Sequence, residues 1–239
     1  PQREAVLTTE GPLLVLAGAG SGKTRVLTYR IAHMIDAQIA HPWEILAITF
    51  TNKAAAEMRE RLSSLIGGQA RGMWVSTFHS MCVRILRQDA EKLGYTRTFT
   101  IYDADDQKRL VKTIMAELDL NPKLFQPNVI AAKISQAKNE LIVPGDFANE
   151  AMDISDKAAA RVYEAYQSRL RAANAMDFDD LLMYVYLLFK HHPEVLSAYQ
   201  ERFRYILVDE YQDTNHAQYA ITQFLAAKSR NIMVVGDDD

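Results

Sequence analysis

The chain has 239 residues, room for one large domain or two modest ones. Its 49% hydrophobic and 24% charged residues, with only 10 Gly and 7 Pro, exclude disordered, collagen-like and coiled-coil classes. Lys and Arg number 27 against 30 Asp and Glu, a net charge of −3, so no global positive field advertises nucleic acid or an anionic membrane, and any DNA contact must be local.

In chain order, residues 13–17 (LLVLA) read as a buried strand. This run is too short for a bilayer span or a signal peptide, so no membrane partner is expected. After a Gly-rich turn, TRVLTYRIAHMI reads as a helix, followed by strands at 45–50 (ILAITF) and 74–76. Between those strands, NKAAAEMRERLSSLIGG opens on Asn52 as a candidate cap and ends with Gly67 at a C′ position. From about residue 85 to 176 the texture is helix after helix, with one β-like stretch at 99–102. Leu110, Val111, Ile114, Met115 and Leu118 share one helical face, which Asp103 or Asp105 can cap; Pro127 and Pro144 suit first helical turns; Val162, Tyr166 and Leu170 line another helix. A helix at DFDDLLMYVYLLFKHH precedes a return to alternation: a strand at 205–208, a helix near 216–227 and a strand at 231–235. The expected organisation is an α/β domain with a parallel sheet, in two parts (1–87 and 177–239), interrupted by an all-helical insert at 88–176. The single cysteine, Cys82, excludes an internal disulfide and fits a reducing, cytoplasmic setting. Pro1 stands where an initiator Met would, and the last residues stop inside an acidic run, so a fragment is expected.

AGAGSGKT at 17–24 lies between a strand and a helix, the context a phosphate-binding loop needs. Ala17, Gly18, Ala19, Gly20, Ser21 and Gly22 would cradle phosphate oxygens with backbone N–H groups, with Arg25 next along. Lys23 would reach the β- and γ-phosphates of ATP, and the Thr24 hydroxyl would ligate Mg²⁺. Ala17 stands where the usual pattern has its first Gly. YILVDEYQD at 205–213 delivers two carboxylates at the end of an apolar strand. Asp209 would hold Mg²⁺ through water, and Glu210 would orient and deprotonate the attacking water. Lys23 and Asp209 lie 186 residues apart, which demands the large insert. VVGDDD repeats the strand-then-acid pattern and reads equally as a surface loop or a phosphate sensor.

TFTN at 49–52 and TFHS at 77–80 each place an aromatic, Phe50 or Phe78, after a strand. On a sheet edge such rings could stack bases; judged by residue type alone they read as core. His79 and Cys82 are half a zinc site at most. DFDDL at 177–181 puts carboxylates in a first helical turn, where the helix dipole and capping suffice to explain them.

Together, QREAV, AGAGSGKTRVLTYRI, ITFTNKAAAEMRERL, STFHSMCVRILR, DFDDL and ILVDEYQDTN resemble the superfamily 1 DNA helicases of the PcrA/UvrD/Rep type, in order across essentially the whole chain. The resemblance implies a RecA-like P-loop NTPase domain with an inserted helical subdomain, and a second RecA-like domain that these residues lack. It implies adenine reading by Gln2, phosphate and Mg²⁺ contacts by Lys23, Thr24 and Asp209, water activation by Glu210 and a γ-phosphate role for Gln212. Phe50, Asn52, Phe78, His79 and Phe178 fall in motifs such helicases use against single-stranded DNA. The implied parent is an ATP-driven 3′-to-5′ helicase of repair and replication, acting on single-stranded and partly duplex DNA, with repair or transcription machinery as partners. The alternatives are a helicase subunit of a helicase–nuclease recombination complex and a nucleotide-dependent DNA-binding module that does not unwind.

Overall fold

A computed structural model describes residues 1–18 and 20–237. It begins with α1 (Gln2–Leu7), β1 (Leu13–Leu16), α2 (Lys23–Asp36), β2 (Ile45–Thr49), α3 (Asn52–Ile66), β3 (Trp74–Thr77) and α4 (Phe78–Asp89). There follow β4 (Thr100–Tyr102), α5 (Ala104–Glu117), α6 (Pro127–Asn139), α7 (Pro144–Glu150), α8 (Ile154–Ala172) and β5 (Ala175–Asp177). The chain continues with α9 (Phe178–His191), α10 (Pro193–Arg202), β6 (Tyr205–Val208), α11 (His216–Ala226) and β7 (Ile232–Gly236). Two compact units result. One comprises Pro1–Met81, Phe189–Thr214 and the chain from Gln218 on; the other comprises Cys82–Leu188 and Asn215–Ala217.

The first unit is built on a five-stranded parallel sheet in the order β1-β7-β6-β2-β3, so the α/β class read from the sequence holds. Strands β2 and β6 are buried along their whole length, as crossover helices on both faces of a parallel sheet require. The helical stripe Val26, Leu27, Ile31, Met34 and Ile35 of α2 packs with Met58 and Leu62 of α3 against Ile45, Ala47, Leu207 and Val235 of the sheet. β1 and β6 are not adjacent, because β7 pairs with both, Leu13 opposite Met233 and Ile206 opposite Ile232.

In the second unit Val111, Ile114, Val162, Tyr166 and Leu170 form a helical core with Ile134; all but Ile134 stand on faces read from helical spacing. Asp103 caps α5 by accepting from the Asp106 N–H at 2.9 Å, and Pro127 and Pro144 each open a helix. The β-like stretch is real but pairs with β5, Thr100 opposite Ala175. Three residues are too few to show strand periodicity, which is why β5 escapes a sequence reading. Helices α4 and α9 each run from one unit into the other, so no Gly- or Pro-rich linker marks the change. Among the described residues no helix is long and apolar enough to cross a membrane.

Candidate functional site

The phosphate loop follows β1 and ends at the first residue of α2. Gly20 (φ 76°) and Gly22 (φ 89°) adopt left-handed backbone, which a side chain would strain; Gly22 is the N-cap of α2. The Ser21 N–H donates to the Gly18 carbonyl at 3.2 Å. Lys23, 8% exposed, donates from Nζ to the Ala17 carbonyl at 2.6 Å and pairs with Asp237. Ala19 lies outside the described residues. Gln2 donates from Nε2 to the Ser21 carbonyl at 2.9 Å, so the residue matched to adenine reading sits on the loop itself. Its helix is held by the buried Arg30, which donates to the carbonyls of Ala5 (2.8 Å), Thr8 and Thr9. Burial lowers the Arg30 pKa, with Glu10 opposing. A cavity of about 520 Å³ runs past Gln2, Ala17, Ser21 and Lys23. Arg25 is exposed and lies over the Tyr29 ring, 5.2 Å from its centroid.

The end of β6 supplies the carboxylates. The Thr24 hydroxyl donates to Asp209 Oδ2 at 3.3 Å, bringing together two oxygen donors far apart in sequence. Burial and then the neighbouring Glu210 charge raise the Asp209 pKa, while hydrogen bonds from the Glu210 N–H and Thr24, and the charge of Lys23, pull it down. Glu210 itself has left-handed backbone (φ 52°), sparse for a residue with a side chain and concentrated at functional sites. Its Oε2 accepts from Gln212 Nε2 at 2.7 Å, and Gln212 Oε1 accepts from the Asp237 N–H at 3.1 Å. Gln212 thus bridges the candidate base and the end of β7. Asp237 is the first acid of the VVGDDD run, whose sequence reads equally as loop or sensor. It reaches Lys23 because β7 is inserted between the loop strand and the carboxylate strand. Asp238 and Asp239 lie outside the described residues.

At the other side of the sheet, Thr49 stands opposite Thr77 in the parallel register, so the two Thr-Phe motifs end side by side. Phe50 and Phe78 meet edge to face at 5.6 Å. Phe50 is half-buried, His79 is half-buried and Asn52 is exposed. Phe78 is 1% exposed, so no face of its ring is open to a base. The core reading made from residue type fits Phe78, which backs Phe50 from behind. Asn52 is not the helix cap. Thr51 is, its Oγ1 accepting from the Ala54 N–H at 3.0 Å, because Thr51 is the last residue with extended backbone. This leaves the Asn52 side chain to solvent. In the other unit Phe178 is 47% exposed. The carboxylates beside it form more than a cap. Asp177 and Asp180 exchange backbone bonds at 2.8 and 3.0 Å, and Lys138, absent from the sequence reading, is buried between them at 2.7 and 2.9 Å.

The whole chain, residues 1–239, matches the family described as UvrD/REP helicase N-terminal domain. The chain belongs to that family. It is 54% identical over 238 residues to the ATP-dependent DNA helicase PcrA of Staphylococcus aureus (strain NCTC 8325 / PS 47), covering 100% of this chain and 33% of that protein. It is 53% identical over the same length to the ATP-dependent DNA helicase PcrA of Staphylococcus epidermidis (strain ATCC 12228 / FDA PCI 1200), with the same coverage. The chain therefore spans about a third of the length of the curated relatives it matches. The parallel sheet and the strand–loop–helix of the phosphate loop are those of a RecA-like helicase domain.

Proposed function

We propose that this chain is the ATP-binding portion of an ATP-dependent DNA helicase that moves 3′ to 5′ along single-stranded DNA and acts on partly duplex DNA in repair and replication. Residues 1–87 and 177–239 form its RecA-like ATP-binding domain, and 88–176 its helical insert. The single observation that carries this reading is the convergence of Thr24 and Asp209 at 3.3 Å, beside Lys23 and Glu210, on a family match that spans the chain.

A hydroxyl and a carboxylate are hard oxygen donors and too few for a closed metal cage, which suits Mg²⁺ completed by phosphate and water. When bound, the ion offsets negative charge on the β- and γ-phosphates. The chain's own residues do the rest. Gln2 faces the base, loop N–H groups and the α2 dipole hold phosphate oxygens, and Lys23 exchanges the Ala17 carbonyl and Asp237 for phosphate. Glu210 takes the proton of the attacking water, with Gln212 orienting its carboxylate. Phe50, Asn52, His79 and Phe178 contact single-stranded DNA. A second RecA-like domain of the whole protein supplies arginines to the transition state.

The test is Mg²⁺-dependent ATP hydrolysis with and without single-stranded DNA, on the 239-residue chain and on the whole protein. Stimulated turnover by the whole protein and about 10³-fold less by this chain is expected, the worth of an arginine supplied in trans. Lys23→Ala should abolish turnover, and Glu210→Gln should keep ATP binding while losing about 10²–10⁴-fold in rate. Equal turnover by both proteins, or intact hydrolysis in Lys23→Ala, would overturn the reading.

A further inference from the structure

Helix α6 ends in two polar residues, and between them they hold every carboxylate that flanks Phe178. Lys138 Nζ donates to Asp177 Oδ2 at 2.7 Å and pairs with Asp180 Oδ1 at 2.9 Å. Tyr166 adds a bond to Asp177 and Gln167 one to Asp180, each at 2.9 Å. Asn139 takes the third carboxylate, donating from Nδ2 to Asp179 Oδ1 at 3.0 Å and to the Ser135 carbonyl at 2.9 Å. Asp177, Asp179 and Asp180 are thus drawn toward α6, and Phe178 is the exposed member of the turn.

Asn139 has one more bond. Its Oδ1 accepts from Asn215 Nδ2 at 2.7 Å, within the same compact unit. Asn215 follows Glu210 by five residues, and the chain between them is folded on itself rather than slack. The Asp213 N–H donates to the Glu210 carbonyl at 3.0 Å, and the Thr214 hydroxyl donates to the Tyr211 carbonyl at 2.8 Å. Hydrogen bonds thus run from Glu210 to Thr214, next to Asn215 in the chain, and one side chain, that of Asn139, joins Asn215 to Asp179.

We propose that Asn139 is a positioning residue that couples the carboxylate segment Asp209–Asn215 to the Phe178 turn, so that DNA held at Phe178 and the state of the nucleotide site bias one another. The inference rests on the helicase reading above. Asn139 acts by holding two segments, the one that carries Glu210 and the one that carries Phe178. Coupling of this kind is reciprocal and of the order of 5–150-fold.

The experiment uses the whole protein with Asn139→Ala, Asn215→Ala and the double variant. ATP hydrolysis is measured without DNA and across a titration with oligo(dT), alongside thermal melting. Hydrolysis without DNA should stay within about twofold, and the maximal stimulation by DNA should fall about 10-fold in each single variant. The double variant should lose no more than Asn139→Ala alone, because the bond that Asn215→Ala removes is already gone in it. The oligo(dT) concentration for half-maximal stimulation should barely move, whereas Phe178→Ala should raise it. Unchanged maximal stimulation in the single variants overturns the proposal, as does multiplication of the two losses in the double. A loss of DNA-independent hydrolysis that tracks a lowered melting temperature overturns it in favour of a purely structural bond. Absence of DNA stimulation in the unaltered protein is visible before any variant is made; it overturns the helicase reading and the coupling with it.

Discussion

Lys23 is where sequence and structure meet most directly at the scale of single residues. The spacing of GKT between a strand and a helix places Lys23 and Thr24 without any tertiary knowledge, because the phosphate loop is a local structure. What holds Lys23 is another matter. Its partners are the Ala17 carbonyl and Asp237, the second brought by a strand near the far end of the chain. Gly236 belongs to the same contact. A Cβ there would stand 2.8 Å from Gln212 Oε1, so only glycine allows Gln212 to bridge Glu210 and the Asp237 N–H. In Gly236→Ala the Gln212 side chain must swing away, which is cheap for a flexible amide. The expected result is a stability change within about 1 kcal/mol, with turnover of the whole protein lowered about 2–10-fold, the worth of one hydrogen bond. Urea unfolding measured beside steady-state hydrolysis checks both halves; a large loss of stability would mean the backbone, not the bridge, had failed.

Among the elements, helix ends carry most of the specific chemistry. Thr51, Asp103 and Asp153 cap their helices through backbone N–H groups at 2.7–3.0 Å; of these the sequence names Asp103 and misses Thr51 by one residue. At the start of α9 sequence rules find the cap but miss that it is also half of a buried ion cluster. Burial alone would lower the Lys138 pKa, but Asp180 and Asp177 hold it above its ordinary value. Burial, then the Asp177 carboxylate, pushes Asp180 from 3.8 up to about 7, with Lys138 and the backbone bond from Asp177 opposing. A carboxyl whose folded pKa lies above its unfolded one contributes stability that is fully present below about 3.8 and is lost as pH rises through about 7. Melting temperature followed from pH 4 to 8 should therefore show an extra downward slope in the parent that Asp180→Asn removes. Parallel curves for the two proteins would contradict the assignment. A lysine at position 138 has no such signature in sequence, since a single cation on a helix normally faces water.

The whole molecule joins a parallel-sheet unit to a helical one through helices that continue across the change. The net charge of −3 leaves no general field for DNA, so in the proposed function affinity has to come from a few local side chains. Binding of single-stranded DNA should accordingly weaken with salt along a shallow slope, about −2 to −4 in log K against log salt, as a few phosphate contacts give. Fluorescence anisotropy between 50 and 200 mM salt measures it, and a slope near zero would remove phosphate contact from the account.

Composition, helical and strand periodicity, the phosphate loop and the DEYQD carboxylates were all legible in the chain by itself, and they carried the α/β class and the family. Composition apart, each depends on residues within a few positions of one another. The tertiary structure alone decided that β7 lies between β1 and β6, that Asp237 meets Lys23, that Phe78 is buried behind Phe50, and that Lys138 and Asn139 anchor the Phe178 turn. Those facts follow from strand order and from which faces pack together. They are long-range consequences of burying apolar surface, and no local pattern of residues encodes them.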